Sequence, residues 1–245
     1  MPQGTAAVIG GGIMGSGIAQ VLARAGYDVR VREINEDLAE EARDRLISGN
    51  YGLDDAVEGG YIDEDEKEAI LERLTFTTDL EAATDGTDFV IEAVTEDLAV
   101  KGKVFRELDA VTDDQPLYSN TSGFPVTSIA NAVSDPSRVA VMHFFNPVPI
   151  MSMVEIVQAP ETDEAVVNLA EELVDELGKT GVTIDDAPGT YGFIANRCYA
   201  AMRREAQRVV EEGVATEEQV DKALEEGYNL PVGPFSLRGI GEEWD

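Results

Sequence analysis

Lysine and histidine are almost missing from this sequence: Lys67, Lys101, Lys103, Lys179 and Lys222 are its lysines, and His143 is its only histidine. With 49 acidic residues against 18 basic ones, the formal net charge of −31 argues against nucleic acid as a partner. The single Cys198 excludes an internal disulfide framework and reads as a small buried residue rather than a nucleophile. No metal-ligand set is expected. No apolar run reaches the ~20 residues of a membrane-spanning helix, and the N-terminus lacks a signal-peptide pattern, so the expectation is a cytoplasmic chain with no membrane partner.

What is abundant is carboxylate, and its distribution matters. A disordered acidic chain is poor in apolar residues, whereas 43% of this one is hydrophobic and arranged periodically. Acidic tails come in blocks, but here the charges are spread over helical stretches such as Glu36 to Arg45 and Asp163 to Glu176. The remaining reading is a hydrated surface suited to molar salt, which screens the mutual repulsion, and hence a halophilic source.

The chain of 245 residues is long enough for a large domain and a smaller one. Thr5 to Gly10 reads as a buried strand, Met14 to Ala25 as a helix and Asp28 to Arg32 as a second strand. Polar helices are expected at Asp37 to Ser48 and Asp63 to Leu74, separated by a glycine-rich loop from Gly49 to Gly60. Strands then alternate with helices: Phe89 to Val94, Leu117 to Asn120, Val139 to His143, Val154 to Val157 and Gly181 to Ile184, with helices at Leu98 to Val111 and Glu164 to Leu177. Such alternation implies an α/β fold, a Rossmann-type doubly wound and mostly parallel sheet covered on both faces. After Pro188 only helices are expected, Phe193 to Glu212 and Thr216 to Glu226, with Thr216 as N-cap and Gln219 three residues on. The expected division is therefore a dinucleotide-binding domain over 1–187, including the helical excursion near 37–74, and a smaller all-helical C-terminal domain over 188–245.

Gly10-Gly11-Gly12-Ile13-Met14-Gly15 fits G-x-G-x-x-G where a strand passes into a helix. Gly10 permits a tight turn, Gly12 lets backbone approach a pyrophosphate and Gly15 lets the helix pack on the strand. Glu33 closes the second strand eighteen positions beyond Gly15, near the ~20 expected for a ribose-binding carboxylate. That carboxylate favours NAD over NADP, although Arg30 and Arg32 stand close enough to attract a ribose phosphate. A solvated surface carboxylate is the bland reading of Glu33.

His143 falls at the carboxyl end of a strand, where open α/β sheets bind ligands. Glu155 follows on the next apolar strand, and Ser119-Asn120-Thr121-Ser122 ends the preceding one. A carboxylate on one imidazole nitrogen fixes the tautomer and raises the basicity of the other, which then takes an alcohol proton as hydride leaves for nicotinamide.

These segments, together with Val90-Ile91-Glu92-Ala93-Val94, His143-Phe144-Phe145-Asn146-Pro147, Gly192-Phe193-Ile194-Ala195-Asn196-Arg197 and Pro231-Val232-Gly233-Pro234-Phe235, resemble the L-3-hydroxyacyl-CoA dehydrogenase family over nearly the whole chain. The resemblance implies NAD-dependent, reversible oxidation of (3S)-3-hydroxyacyl-CoA to 3-oxoacyl-CoA, as in fatty acid β-oxidation or butanoate metabolism. It implies His143 as general base, Glu155 as its orienting partner, and Ser122 and Asn196 as substrate contacts. Gly10, Gly12, Ile13, Met14, Gly15, Glu33, Glu96, Lys101, Asn120, Ser122 and Asn146 match positions around the cofactor. An exposed Glu96–Lys101 pair, Ser122 as a helix N-cap and Asn196 as a packing residue remain as alternatives.

The chain departs from the family at Gly239, where members carry Asp, in the longer Pro188 to Phe193 link, and in lacking basic residues for CoA phosphates in the first excursion. The sequence also stops where relatives continue into further helices, so the helical domain is expected to be shortened and a homodimer contact weakened. Two rivals stay open: a relative acting on a free hydroxy acid such as gulonate, and an inactive NAD-binding or structural protein.

Overall fold

A computed structural model describes residues 3–187, 189 and 191–237. The expected boundary at Pro188 and the departure at Gly239 lie outside the described residues. The chain divides into two compact units between residues 190 and 191.

The first unit is built on eight strands: β1 (Thr5–Ile9), β2 (Asp28–Arg32), β3 (Leu74–Thr77), β4 (Phe89–Glu92), β5 (Leu117–Ser119), β6 (Val139–Phe144), β7 (Met153–Gln158) and β8 (Thr180–Asp185). They lie in the order β3-β2-β1-β4-β5-β6-β7-β8, parallel except where β6 meets β7. The helices around it are α1 (Ile13–Ala25), α2 (Glu36–Ser48), α3 (Leu53–Glu58), α4 (Glu64–Glu72), α5 (Leu80–Thr84), α6 (Leu98–Val111), α7 (Val126–Ala130) and α8 (Glu164–Glu176). Central strands with every residue buried, such as β4 and β6, need apolar side chains on both faces, which is why they read as continuous apolar runs. Their core includes Val8, Leu22, Phe89, Ile91, Tyr118 and Met142, and the Tyr118 hydroxyl donates to the Val166 carbonyl at 2.8 Å.

The order in which strands are added switches direction between the parallel neighbours β1 and β4, and the carboxyl ends of β1, β2, β4, β5 and β6 open onto one edge. Helix starts are fixed locally: Asn35 caps α2, Asp97 caps α6, and Asp63 and Glu66 form a reciprocal capping box on α4.

Two expectations for the excursion need correction. The stretch Gly49 to Gly60 is not all loop, because Leu53 and Ala56 bury one face of α3 between two glycine ends. The helix that follows stops at Glu72, and Leu74 opens an edge strand instead. Its four residues are too few to show a period in sequence, but pairing with β2 captures them.

The second unit contains α9 (Ile194–Glu211) and α10 (Glu217–Tyr228), the latter started by a capping box of Thr216 and Gln219. Pro231 to Phe235 folds back onto α10: Asp221 accepts from the Phe235 amide at 2.9 Å and from the Ser236 hydroxyl at 2.7 Å. A Cβ on Gly233 would stand 2.3 Å from the Asp221 carboxyl carbon, which is why glycine is needed there. Cys198, expected to be buried, is exposed. Among the described residues α9 fully buries only Ala206, and Cys198 and Ala201 lie on its exposed side. No described helix is long and apolar enough to cross a membrane.

Candidate active site

The turn from β1 into α1 gives each glycine a separate reason. Gly10 has φ of 97°, and a Cβ there would stand 2.8 Å from the Ala93 carbonyl oxygen beyond β4. On Gly15 a Cβ would meet the Gly10 carbonyl oxygen at 1.8 Å, so α1 seats directly on the turn. Gly12 is different, because nothing lies within 4 Å of its added Cβ. Gly12 is also the N-cap of α1, with no side-chain cap and no acidic residue in the first turn. An open, uncapped helix start of this kind, with Ile13 and Met14 supplying its first amides, fits a dinucleotide pyrophosphate.

Glu33 stands at the rim of the same turn, where its Oε1 accepts from the Gly11 amide at 2.6 Å and its Oε2 from the Ile34 amide at 3.0 Å. The carboxylate is fixed facing the turn, and it repels a ribose phosphate. Arg30 and Arg32 do not offset it. Arg30 donates to the Asp85 and Ala82 carbonyls at 2.6 and 3.2 Å, and Arg32 donates to the Thr78 carbonyl at 3.3 Å.

His143 and Glu155 are partners in the antiparallel register of β6 and β7. Their side chains therefore project from the same face, and Nδ1 of the imidazole lies 2.7 Å from Glu155 Oε2. Glu155 is fully buried and His143 is 5% exposed, so this carboxylate is shielded from water and tied to the ring. Phe145 flanks the imidazole with ring centroids 4.5 Å apart. Asn120, beyond β5, holds the end of β6 by accepting the Phe144 amide at 2.8 Å.

A second buried network links β4, α6 and the Ser122 turn. Glu92 accepts from Lys101 Nζ at 2.8 Å, from the Val94 amide at 2.7 Å and from the Ser119 hydroxyl at 2.6 Å. Glu96 lies 3.3 Å from the same ammonium and accepts from the Thr121 hydroxyl at 2.6 Å, the Ser122 amide at 2.9 Å and the Ser122 hydroxyl at 3.1 Å. Lys101 is 1% exposed, which overturns the reading of Glu96 and Lys101 as an exposed pair. Ser122 is not a helix cap, since α7 starts from Pro125 and the Ser122 hydroxyl is turned to Glu96. Glu92 was missed as a site residue, although one carboxylate inside the apolar run Val90 to Val94 was a usable signal.

A cavity of about 350 Å³ runs along α1 beyond the glycine turn, between Gly17 and Gln20 on one side and Asn146 and Val148 on the other, with Arg45 and Tyr51 of the excursion at its rim. Asn196 is placed by α9 in the second unit. The first unit thus brings together His143, Glu155, Asn120, Ser122, Glu96, Lys101 and the glycine turn at the carboxyl edge of one sheet.

Residues 5–187 match the model of the 3-hydroxyacyl-CoA dehydrogenase NAD binding domain, and residues 192–239 match that of the C-terminal domain. The chain belongs to the 3-hydroxyacyl-CoA dehydrogenase family. Within this family it is 46% identical over 236 residues to a 3-hydroxybutyryl-CoA dehydrogenase of Mycobacterium tuberculosis, covering 95% of this chain and 80% of that protein. It is 36% identical over 240 residues to the human mitochondrial hydroxyacyl-coenzyme A dehydrogenase, covering 94% and 73%. The crystal structure of (S)-3-hydroxybutyryl-CoA dehydrogenase PaaH1 from Ralstonia eutropha superposes with a TM-score of 0.88 at 33% identity, covering 94% of this chain and 79% of that one. The glycine turn, Glu33 and the His143–Glu155 pair all lie inside the stretch matched as NAD-binding.

Proposed function

We propose that this chain oxidises (3S)-3-hydroxyacyl-CoA to 3-oxoacyl-CoA reversibly with NAD, with His143 as the general base. The observation that carries this reading is the buried His143–Glu155 pair at the strand edge that also bears the glycine turn. NAD, held at Gly10, Gly12, Ile13, Met14, Gly15 and Glu33, supplies the acceptor for the hydride leaving C3 of the substrate. With Nδ1 turned to Glu155, Nε2 of His143 is the nitrogen that takes the C3 hydroxyl proton, and the carboxylate stabilises the imidazolium that results. In the reducing direction the same nitrogen returns the proton to the 3-oxo oxygen.

The Ser122 hydroxyl, set by Glu96, hydrogen-bonds the substrate oxygen, and Asn196 is the second residue assigned to substrate contact. Lys101, 1% exposed, holds Glu92 and Glu96 on the cofactor side, while Asn120 and Asn146 stand at the β5 and β6 ends flanking the nicotinamide side. A second copy of the chain is the proposed partner of the helical unit, whose Tyr191, Ile194, Val214 and Tyr228 are exposed. The net charge of −31 supports a salt-rich cytosol as the working environment.

The test is reduction of acetoacetyl-CoA by NADH across a KCl series reaching molar concentration, for wild type and His143→Gln. Turnover in wild type that falls by about 10²- to 10⁴-fold in the variant, with NADH binding kept, is expected. Unchanged turnover in the variant removes His143 from the mechanism. Activity with a free hydroxy acid in place of the thioester would move the substrate assignment.

A further inference from the structure

Lys179 is half-buried in the first unit and has no place in the chemistry described so far. It follows the left-handed Gly178 at the foot of β8, one residue before the strand begins. Its ammonium turns inward and donates to two backbone carbonyls, Val148 at 2.7 Å and Met151 at 2.7 Å. Both belong to the short loop that leaves Asn146 and leads into β7. The loop is closed on itself as well, because the Ile150 and Met151 amides donate to the Pro147 carbonyl at 3.0 and 2.9 Å.

The other side of this loop packs on the cofactor helix. Val148 is 2% exposed, and a Cβ on Gly17 of α1 would stand 2.9 Å from the Val148 Cβ. The loop is therefore held between α1, where glycine permits close approach, and an ammonium just before β8 that gathers its carbonyls. Asn146 to Pro149 form one wall of the cavity along α1, so the width of that cavity depends on where the loop is held. Burial and the nearby Arg24 lower the pKa of this ammonium, which is the cost of placing it here rather than in solvent. A neutral side chain would carry no such cost, yet would leave the two carbonyls without their charged donor.

We infer that Lys179 is a positioning residue for the acyl-CoA, fixing the 147–151 loop against α1 so that the cavity keeps the width the substrate needs. The inference rests on the functional reading above. It goes beyond it by assigning a role to a residue in the turn before β8, outside the imidazole pair and the glycine turn.

The experiment compares wild type with Lys179→Gln, whose amide can donate to one carbonyl at a time, and Lys179→Met, which donates to neither. Hydrogen exchange of the 145–152 segment in the full chain reads the anchor directly, and the Ile150 and Met151 amides should exchange about tenfold faster in Lys179→Met. KM for acetoacetyl-CoA should rise about tenfold in Lys179→Met and by an intermediate factor in Lys179→Gln, while kcat falls less than KM rises and NADH affinity at the glycine turn holds within about twofold. Should the Met variant fail to fold, the Gln variant carries the test with the same signs. Wild-type exchange in the variants, or a uniform fall of kcat with KM unchanged, overturns the inference, the second outcome meaning only a smaller active fraction. Wild type that binds NADH but does not reduce acetoacetyl-CoA overturns the functional reading instead, and the exchange arm still decides whether Lys179 anchors the loop.

Discussion

Glu155 stands directly across from His143 in the antiparallel pairing of β6 and β7, with 2.7 Å between carboxylate and Nδ1. All other neighbouring pairs in this sheet are parallel, so the reversal of β7 is what brings a residue twelve positions further along the chain opposite the imidazole. Replacing Glu155 with Gln keeps the shape and a hydrogen-bonding oxygen but removes the charge that stabilises the imidazolium. Turnover is expected to fall about 10- to 100-fold with NADH affinity unchanged, as measured by steady-state rates and direct NADH titration. Equal rates in wild type and variant would mean that the carboxylate only packs.

The glycines of the turn separate folding from binding. Gly15→Ala forces a methyl group to 1.8 Å from the Gly10 carbonyl oxygen, so α1 must lift off the turn and the variant should lose several kcal/mol or fail to fold. Gly12→Ala meets nothing within 4 Å, so it should fold with a thermal midpoint near wild type. Its methyl group occupies the space proposed for the pyrophosphate, and NADH affinity should drop by about tenfold or more. Thermal melts and NADH titration on both variants check this, and a Gly12→Ala chain with wild-type affinity would place the phosphates elsewhere.

Most of the first unit was legible because its signals are local. The largely apolar runs at Phe89 and Val139 announce buried strands, and in the second unit the Thr216–Gln219 capping box marks the start of α10 to the residue. The site was legible at His143 for a similar reason, since a strand end in an α/β sheet is a ligand position. What stayed hidden depends on contacts between distant segments. The four residues of β3 become a strand only because β2 offers an edge, and the 53–58 helix forms because Leu53 and Ala56 find the core. Burial of Lys101 could not be read either, because its two carboxylate partners lie on a strand end and a loop, and composition suggested that every charge here faces water. Cys198 failed in the opposite sense, since the apolar character of a residue says nothing about whether its helix has a neighbour on that side.

The Lys101 ammonium is the counter-charge of a buried carboxylate, which makes it a stability element as well as a support for Glu96. At 1% and 0% exposure, Lys101 and Glu92 form a pair whose disruption leaves Glu92 buried with its charge uncompensated. Lys101→Met should cost about 3–5 kcal/mol in urea unfolding at constant high salt. A surface pair would lose less than about 1 kcal/mol, so the measurement distinguishes the two cases clearly. The surviving folded fraction should also bind NADH less well, because Glu96 loses the contact that fixes it beside Ser122.

Asp109 and Arg138 tie the end of α6 to the 3₁₀ turn Pro136–Arg138 just before β6, and their pairing carries a pH signature. The Arg138 guanidinium is 5% exposed and donates to Asp109 at 2.7 Å and to the Thr112 hydroxyl at 2.8 Å, while Asp109 also accepts from the Ser134 amide and hydroxyl. Partial burial pulls the Asp109 carboxyl upward, but the bonds from Arg138 and Ser134 outweigh it and hold the pKa below the ordinary aspartate value. A group whose folded pKa is depressed stabilises the fold above its unfolded pKa, about 3.9, and loses that contribution as pH falls through the folded value. Asp109→Asn should therefore cost about 2 kcal/mol at neutral pH, because Arg138 loses its charged acceptor while remaining buried. The difference between wild type and variant should be constant from pH 7 down to about 5 and shrink below about pH 4, as wild-type Asp109 protonates and comes to resemble the amide. Urea midpoints for both chains at fixed molar salt follow that window, and a difference that grows toward acid would mean the carboxylate is not held by Arg138 at all.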